Sequence, residues 1–395
     1  MTAATPDAEQ PWTPEGDPST WLARFATDTP FTIGVEEEVM LLDPATFDLA
    51  GATASASVLA LLGDDDAYSP ELHAAQLEVK TSPGNLAAVI AELGSARERL
   101  VGALDGRWRV ATAGVHPFAD RRPLVSEGER YRRLASEYGR AALEMVTFGL
   151  HVHVALDGGE RAVAVHDALR EHLPTIAALS ANGPFHEGVD TGFASLRPRL
   201  AEALPRQGVP PAFGDTRGWC DFIRWGQQAG AFGPQELWWE VRLHPAFGTV
   251  EVRVADAQAD LADVGALVAT IAALVVHLSD RFDADDLPAP VAGERIAENR
   301  WLALRYGLTG DLLDPRTGEA RPAREMVRAL LETIAPASAR LGDGAAEALE
   351  RAGHLAACGG AEQQRLVADA RGLAGLVSWL ADRYEHGGPA PAPLN

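Results

Sequence analysis

β-Branched content and a period-two alternation of apolar and polar side chains mark six segments of this chain. They are Phe31–Leu42, Ala75–Thr81, Arg109–Gly114, Thr147–Leu156, Leu237–Leu243 and Thr249–Ala255. Successive side chains of an extended chain point to opposite faces, so each segment predicts a strand. The last two are separated by His244-Pro245-Ala246-Phe247-Gly248, whose proline and glycine predict a turn and an antiparallel hairpin. Helical spacing of apolar residues predicts helices over Leu86–Leu104, Glu129–Leu143, Arg161–Leu173, Leu261–Arg281, Arg295–Tyr306, Ala323–Ile334 and much of 345–384. Several strands follow one another without a clean crossover helix, and the last third is nearly all helix. That order predicts an α+β fold with an antiparallel sheet rather than a doubly wound parallel one.

The alternation also sorts the ionisable residues. Glu36 and Glu38 share one face of the first strand, with Glu37 on the other. Gln76, Glu78 and Lys80 lie together opposite Leu77 and Val79, and His151 and His153 share a face. Glu251 and Arg253 stand opposite three valines, and Glu240 and Arg242 repeat the arrangement in the hairpin partner. An ordinary solvated face carries Thr, Ser, Gln and mixed charges. This set is instead dominated by Glu and His, with two arginines and one lysine.

Composition narrows the possibilities. At roughly 150 residues per domain, 395 residues admit two or three units or one large enzyme domain. No long linker or repeat divides the middle. We therefore expect a mobile arm over residues 1–25, a single domain over 26–385 with a helical C-terminal third, and a flexible tail over 386–395. Lys plus Arg is 34 against 56 for Asp plus Glu, a net charge of −22, which argues against nucleic-acid binding and docking on anionic membranes. Lys80 is the only lysine. Cys220 and Cys358 form no disulfide framework, and the first residues carry no secretory pattern, so a cytoplasmic location is expected. The nearly apolar run Val264–Val276 is shorter than the roughly 20 residues a bilayer span needs and predicts a buried helix.

If the charged face lines a cleft, Glu36, Glu38, Glu78 and Glu251 repel one another unless cations neutralise them. Hard divalent ions take oxygen ligands, and Mg²⁺ couples carboxylates to nucleotide phosphates. His151 or His153 could complete the shell or contact a phosphate, while Arg253 and Lys80 could hold phosphate or carboxylate oxygens. The implied chemistry is metal-assisted phosphoryl transfer. Lys80 follows Val79 rather than glycine, so a P-loop is excluded, and no dinucleotide-binding glycine motif follows a strand. Zinc on the His151-x-His153 pair is a minor alternative. Cys220 and the Trp238-Trp239 pair read first as packing. The Gly-rich loop from Asn182 ends at Arg197, the candidate for holding a substrate carboxylate.

The motifs GVEEE, QLEVKT, GLHVHVAL, NGPF with DTGFASLR, FGTVEVRVADA and ENRWLALRYGL resemble, in order, the carboxylate–amine ligases of the glutamate–cysteine ligase type 2 family. The resemblance covers about Phe31 to Pro336. It implies a fold similar to glutamine synthetase, a curved antiparallel sheet forming an active-site funnel flanked by helices. It also implies an enzyme using ATP and Mg²⁺ (or Mn²⁺), in which a carboxylic acid becomes an acyl phosphate that an amine attacks. By motif, Glu36, Glu38, Glu78 and Glu251 look like metal ligands, His151 like a further ligand or phosphate contact, and Arg253 like a phosphate contact. Glutamate and cysteine are the family's default substrates, and a homodimer is compatible. The chain departs from the family pattern at His186 and Val189, in the substrate loop. A phosphotransferase on the same sheet and a silent metabolite-binding protein are the competing readings.

Overall fold

The computed structural model describes residues 17–119 and 125–387. Its main sheet contains β1 (Ile33–Leu42), β2 (Tyr68–Pro70), β3 (Gln76–Lys80), β4 (Arg109–Ala111), β5 (Gly149–Ala155), β8 (Val241–His244) and β9 (Thr249–Asp256). Two short strands, β6 (Phe185–His186) and β7 (Val189–Asp190), pair separately as a hairpin. The order across the main sheet is β2-β3-β1-β5-β9-β8, and every pairing is antiparallel. β4 also pairs with β1, through Met40–Leu42, beyond the stretch Ile33–Glu37 that pairs with β5. The α+β expectation holds, and all six expected strands form, although β8 begins only at Val241, so Leu237–Glu240 of that expected strand lie outside it. The three-residue strand β2 was not foreseen, because Tyr68-Ser69-Pro70 is too short to show a period.

One apolar cluster runs from Trp21 to Tyr384 and includes Val35, Val39, Leu77, Val79, Val152, Val154, Val250, Val252 and Val254 from one face of the sheet. Those residues pack on the helices Leu86–Leu104 and Leu261–Asp283, whose starts are capped by Asn85 and Asp260. The helix Leu261–Asp283 is the one among the described residues that is long and apolar enough to cross a membrane. Its apolar stretch is instead 83% buried inside the fold, as the sequence predicted.

Three expectations need correction. Residues 1–16 lie outside the described residues, but Pro18–Leu22 is already helical, with Trp21 and Phe25 buried, so the expected arm does not extend to residue 25. The helix expected over Glu129–Leu143 breaks at Gly139, whose φ of 55° ends one helix before Arg140–Glu144 begins. The helix Thr216–Gln228, capped by Asp215, was missed: its first turn, with glycine and a charged residue, blurs the apolar repeat. It buries Trp219 and Cys220 in the core. Of the expected tail, His386 belongs to the last helix and residues 388–395 lie outside the described residues.

Glu37 stands alone on the apolar face of β1 and is fully buried. Arg97 meets it with Nε at 2.9 Å and Nη2 at 2.5 Å, and the Tyr384 hydroxyl donates to Oε1 at 2.8 Å. The remaining Arg97 donors reach the carbonyls of Ala259 and Gln258. A buried charge is tolerable only when paired and hydrogen-bonded in this way. The network ties β1, the helix Leu86–Leu104 and the C-terminal helix together behind the charged face.

Candidate active site

Strand register brings the sequence-selected residues together. Glu36 stands opposite Lys80 on one side and His151 on the other. Glu38 stands opposite Glu78, His153 opposite Glu251, and Glu251 opposite Arg242. Directly opposed side chains on one face lie within interaction range, so the pairing itself assembles the site.

At one end, ligand atoms of Glu36, His151 and Glu251 lie within 4.8 Å of one another. His151 Nδ1 is 3.4 Å from Glu36 Oε2, and His153 Nε2 is 3.4 Å from Glu36 Oε1. Burial opposes the charge of Glu36, yet the charge of His153 and hydrogen bonds from His151 and His153 hold its carboxyl well below the usual carboxylate range. Glu251 is fully buried, with Arg242 Nε donating to Oε2 at 2.5 Å and Arg253 donating to Oε1. Burial works against its charge as well, and the two arginines outweigh it, so Glu251 also stays ionised. Glu240 lies just before β8, outside this cluster, and accepts from Arg300 Nε at 2.6 Å.

The other end is an acidic pocket. Glu38 Oε2 accepts from the Gly149 amide at 2.5 Å, and Glu78 Oε1 accepts from the Ser69 hydroxyl at 2.9 Å. Burial, then the charges of Glu36 and Glu71, push Glu78 well above the carboxylate range. Burial and the charge of Glu38 push Glu71 up to about 7. Lys80 offsets part of this repulsion at Glu78. Glu71 was missed in the sequence because it sits on the loop after β2, where no periodicity assigns a face.

The bulge in β9 explains how Arg253 is aimed. Between Leu150 and Val152, β5 advances two residues while β9 advances three, from Ala255 to Val252. A β-bulge re-aims side chains and leaves backbone groups outside the ladder. Arg197 donates to those groups, with Nη2 on the Arg253 carbonyl at 2.9 Å and Nη1 on the Val254 carbonyl at 3.3 Å. A Cβ at Gly149 would lie 2.2 Å from Arg197 Nη2, so glycine there leaves room for the guanidinium. The structure thus places Arg197 against the backbone of β9, where two of its donors are already engaged.

The Gly-rich loop from Asn182 forms the β6–β7 hairpin, turning at Glu187 and Gly188 with positive φ at both. His186 and Val189 are register partners, and Val189 is exposed. Arg365 from the C-terminal helix clasps Asp190 with Nε at 2.8 Å and Nη2 at 3.0 Å. Asp256 at the end of β9 was not singled out by the sequence. It accepts from Ser195 Oγ at 2.9 Å and the Asn182 amide at 2.8 Å, and burial raises it to about 6.

The donor set fits divalent cations. It is rich in carboxylate oxygens, two of its carboxyls resist ionisation without added positive charge, and the buried His151 Nε2 has no hydrogen-bond partner. Two solved structures share the fold. One is a glutamate–cysteine ligase of Francisella tularensis in complex with AMP (TM-score 0.67, 14% identity, covering 93% of this chain and 91% of that one). The other is a bifunctional glutathione synthetase of Pasteurella multocida (TM-score 0.61, 15% identity, 93% of this chain and 53% of that one). A glutamate–cysteine ligase of Natronomonas pharaonis is 34% identical over 372 residues, 92% of this chain and 98% of the relative. That relative and the shared fold mark the chain as an ATP-dependent carboxylate–amine ligase. The chain belongs to glutamate–cysteine ligase family 2, whose model matches residues 32–388.

Proposed function

We propose that this protein joins a carboxylic acid to an amine, with L-glutamate and L-cysteine as default substrates, using ATP with Mg²⁺ in a single catalytic unit. The observation that carries this reading is the sheet face itself. Six metal-competent side chains, Glu36, Glu38, Glu71, Glu78, His151 and Glu251, border a cationic rim of Lys80, Arg242 and Arg253. Bound Mg²⁺ supplies positive charge that neutralises the phosphate oxygens and the facing carboxylates.

The chain's own residues then do three things. Glu36, Glu251 and His151 would hold one cation, and Glu38, Glu71 and Glu78 another. Arg253, with Lys80, would contact the transferring phosphoryl group, where a guanidinium matches the geometry of phosphate oxygens, and His153 would border the rest of the nucleotide. The acid's carboxylate oxygen attacks the γ-phosphorus and ADP leaves. The amine nitrogen then attacks the acyl carbon, phosphate departs, and the amine proton is released. Catalysis is mainly electrostatic and positional. The free cysteines Cys220 and Cys358 suit the reducing cytoplasm where we place the enzyme.

The test is phosphate release across a matrix of acids and amines, with mass spectrometry of the products. ADP and a new amide only when glutamate and cysteine are both present is the expected result. ADP release without an amide favours the phosphotransferase reading, and amide from another pair only would move specificity to the His186–Val189 hairpin. Silence across the matrix overturns the proposal.

A further inference from the structure

The turn between β8 and β9 carries an aromatic side chain to which the chemistry above gives no role. Phe247 is 53% exposed. Its ring is stacked on His244, centroids 4.4 Å apart and planes 8° apart, and meets the His153 ring edge-on at 5.6 Å. The turn is fixed: Arg24 Nη2 donates to the Ala246 carbonyl at 3.1 Å. Gly248 has a φ of 65°, and a Cβ there would come within 2.4 Å of the Arg24 carbonyl. A lone exposed aromatic is ordinary. This one differs because the fold immobilises it beside the charged face, with one ring face on His244.

His153 links the ring to the phosphate chemistry. It is buried, and its Nε2 lies 3.4 Å from Glu36 Oε1 and 3.8 Å from Glu251 Oε1. One imidazole therefore separates an open aromatic surface from the carboxylates assigned to cations. A ligand matching both is a planar heteroaromatic ring joined to a polyphosphate. Glutamate and cysteine have no such ring.

We propose that Phe247, backed by His244, is the shelf on which the purine base of the nucleotide stacks. The ribose then passes His153, and the phosphates reach Arg253 and the cations. This rests on the proposed function and adds where the base sits. Base–aromatic stacking accounts for about a 5- to 100-fold difference in affinity per base.

The experiment is calorimetric titration of the full-length protein and its Phe247→Ala and Phe247→Trp variants with ADP and, separately, inorganic tripolyphosphate, each with Mg²⁺. Tripolyphosphate carries the charge without the base. The expected result is a loss of about 5- to 100-fold in ADP affinity for Phe247→Ala, unchanged tripolyphosphate binding, and recovery in Phe247→Trp. The KM for ATP should rise with the same pattern while the KM for the acid stays put. Unchanged ADP affinity in Phe247→Ala overturns the shelf, and so does an equal loss for both ligands, which marks a packing role. If the unsubstituted protein binds neither ligand, the nucleotide reading of the whole face fails, a result distinct from either.

Discussion

Replacing Arg197 separates two roles that the same residue could play. As an anchor for a substrate carboxylate, its loss would raise the KM for the acid and leave folding alone. The structure instead puts its guanidinium on two carbonyls of the β9 bulge, at 2.9 and 3.3 Å. A hydrogen bond to a charged group contributes about 1.5–3 kcal/mol, and the longer contact belongs at or below the bottom of that range. Arg197 is only half-buried, which discounts the sum of the two bonds, so Arg197→Ala should lose about 2–3 kcal/mol. The bulge would then relax and Arg253 would lose its aim. A misplacement of about 1 Å costs on the order of 100-fold in rate, so kcat should fall by about that factor. Urea denaturation and steady-state kinetics measure both quantities, and Arg197→Lys, which can satisfy one carbonyl, should fall between. A variant with an unchanged denaturation midpoint, unchanged kcat and a raised KM for the acid would refute the bulge argument.

Other consequences follow from the buried charges. Glu71 has a folded-state pKa of about 7 against 4.5 unfolded, so between these values the folded state binds more protons. Stability without metal should therefore fall as pH rises from about 4.5 to 7, by at most about 3 kcal/mol from this group. Mg²⁺ should raise the melting temperature more at pH 8 than at pH 5, and equal shifts would contradict the pocket's cation role. Substituting Glu251 by Gln leaves Arg242 and Arg253 facing a neutral group. It should abolish ATP turnover and cost about 3–5 kcal/mol, as broken buried pairs do, measured by ADP release and thermal melting. Glu37→Gln should cost a similar 3–5 kcal/mol and Tyr384→Phe about 1.5–3 kcal/mol, read by denaturant titration. If Glu37→Gln is neutral, the buried network is not what holds β1.

The candidate site was legible to the extent that it lies on strands. Alternation is a local property of extended backbone, so Glu36, Glu38, Glu78, His151, His153, Glu251 and Arg253 could be sorted onto one face before any strand was paired with another. The family motifs added a reason to group those strands. Glu71 escaped because it belongs to a loop with no period, Ser69 because its three-residue strand is too short to show one, and Asp256 because it closes a strand inside an apolar context. The turn after β8 was readable as a turn, but the stacking of Phe247 on His244 depends on how Gly248 passes Arg24, which lies more than two hundred residues earlier in the chain.

Local order along the chain therefore determined the elements, the charged face and the family. Tertiary structure decided what each charge does. Three adjacent glutamates in β1 have three fates: Glu36 joins histidines, Glu38 faces Glu78, and Glu37 is neutralised by Arg97 and Tyr384 from distant helices. Arg197 reads from sequence as a free cation at the end of a glycine-rich loop. A one-residue bulge in β9 turns it into a support for backbone. The reason is physical: which side a residue faces follows from its own dihedral angles, whereas its charge state and its partners depend on burial and on groups that only folding brings near.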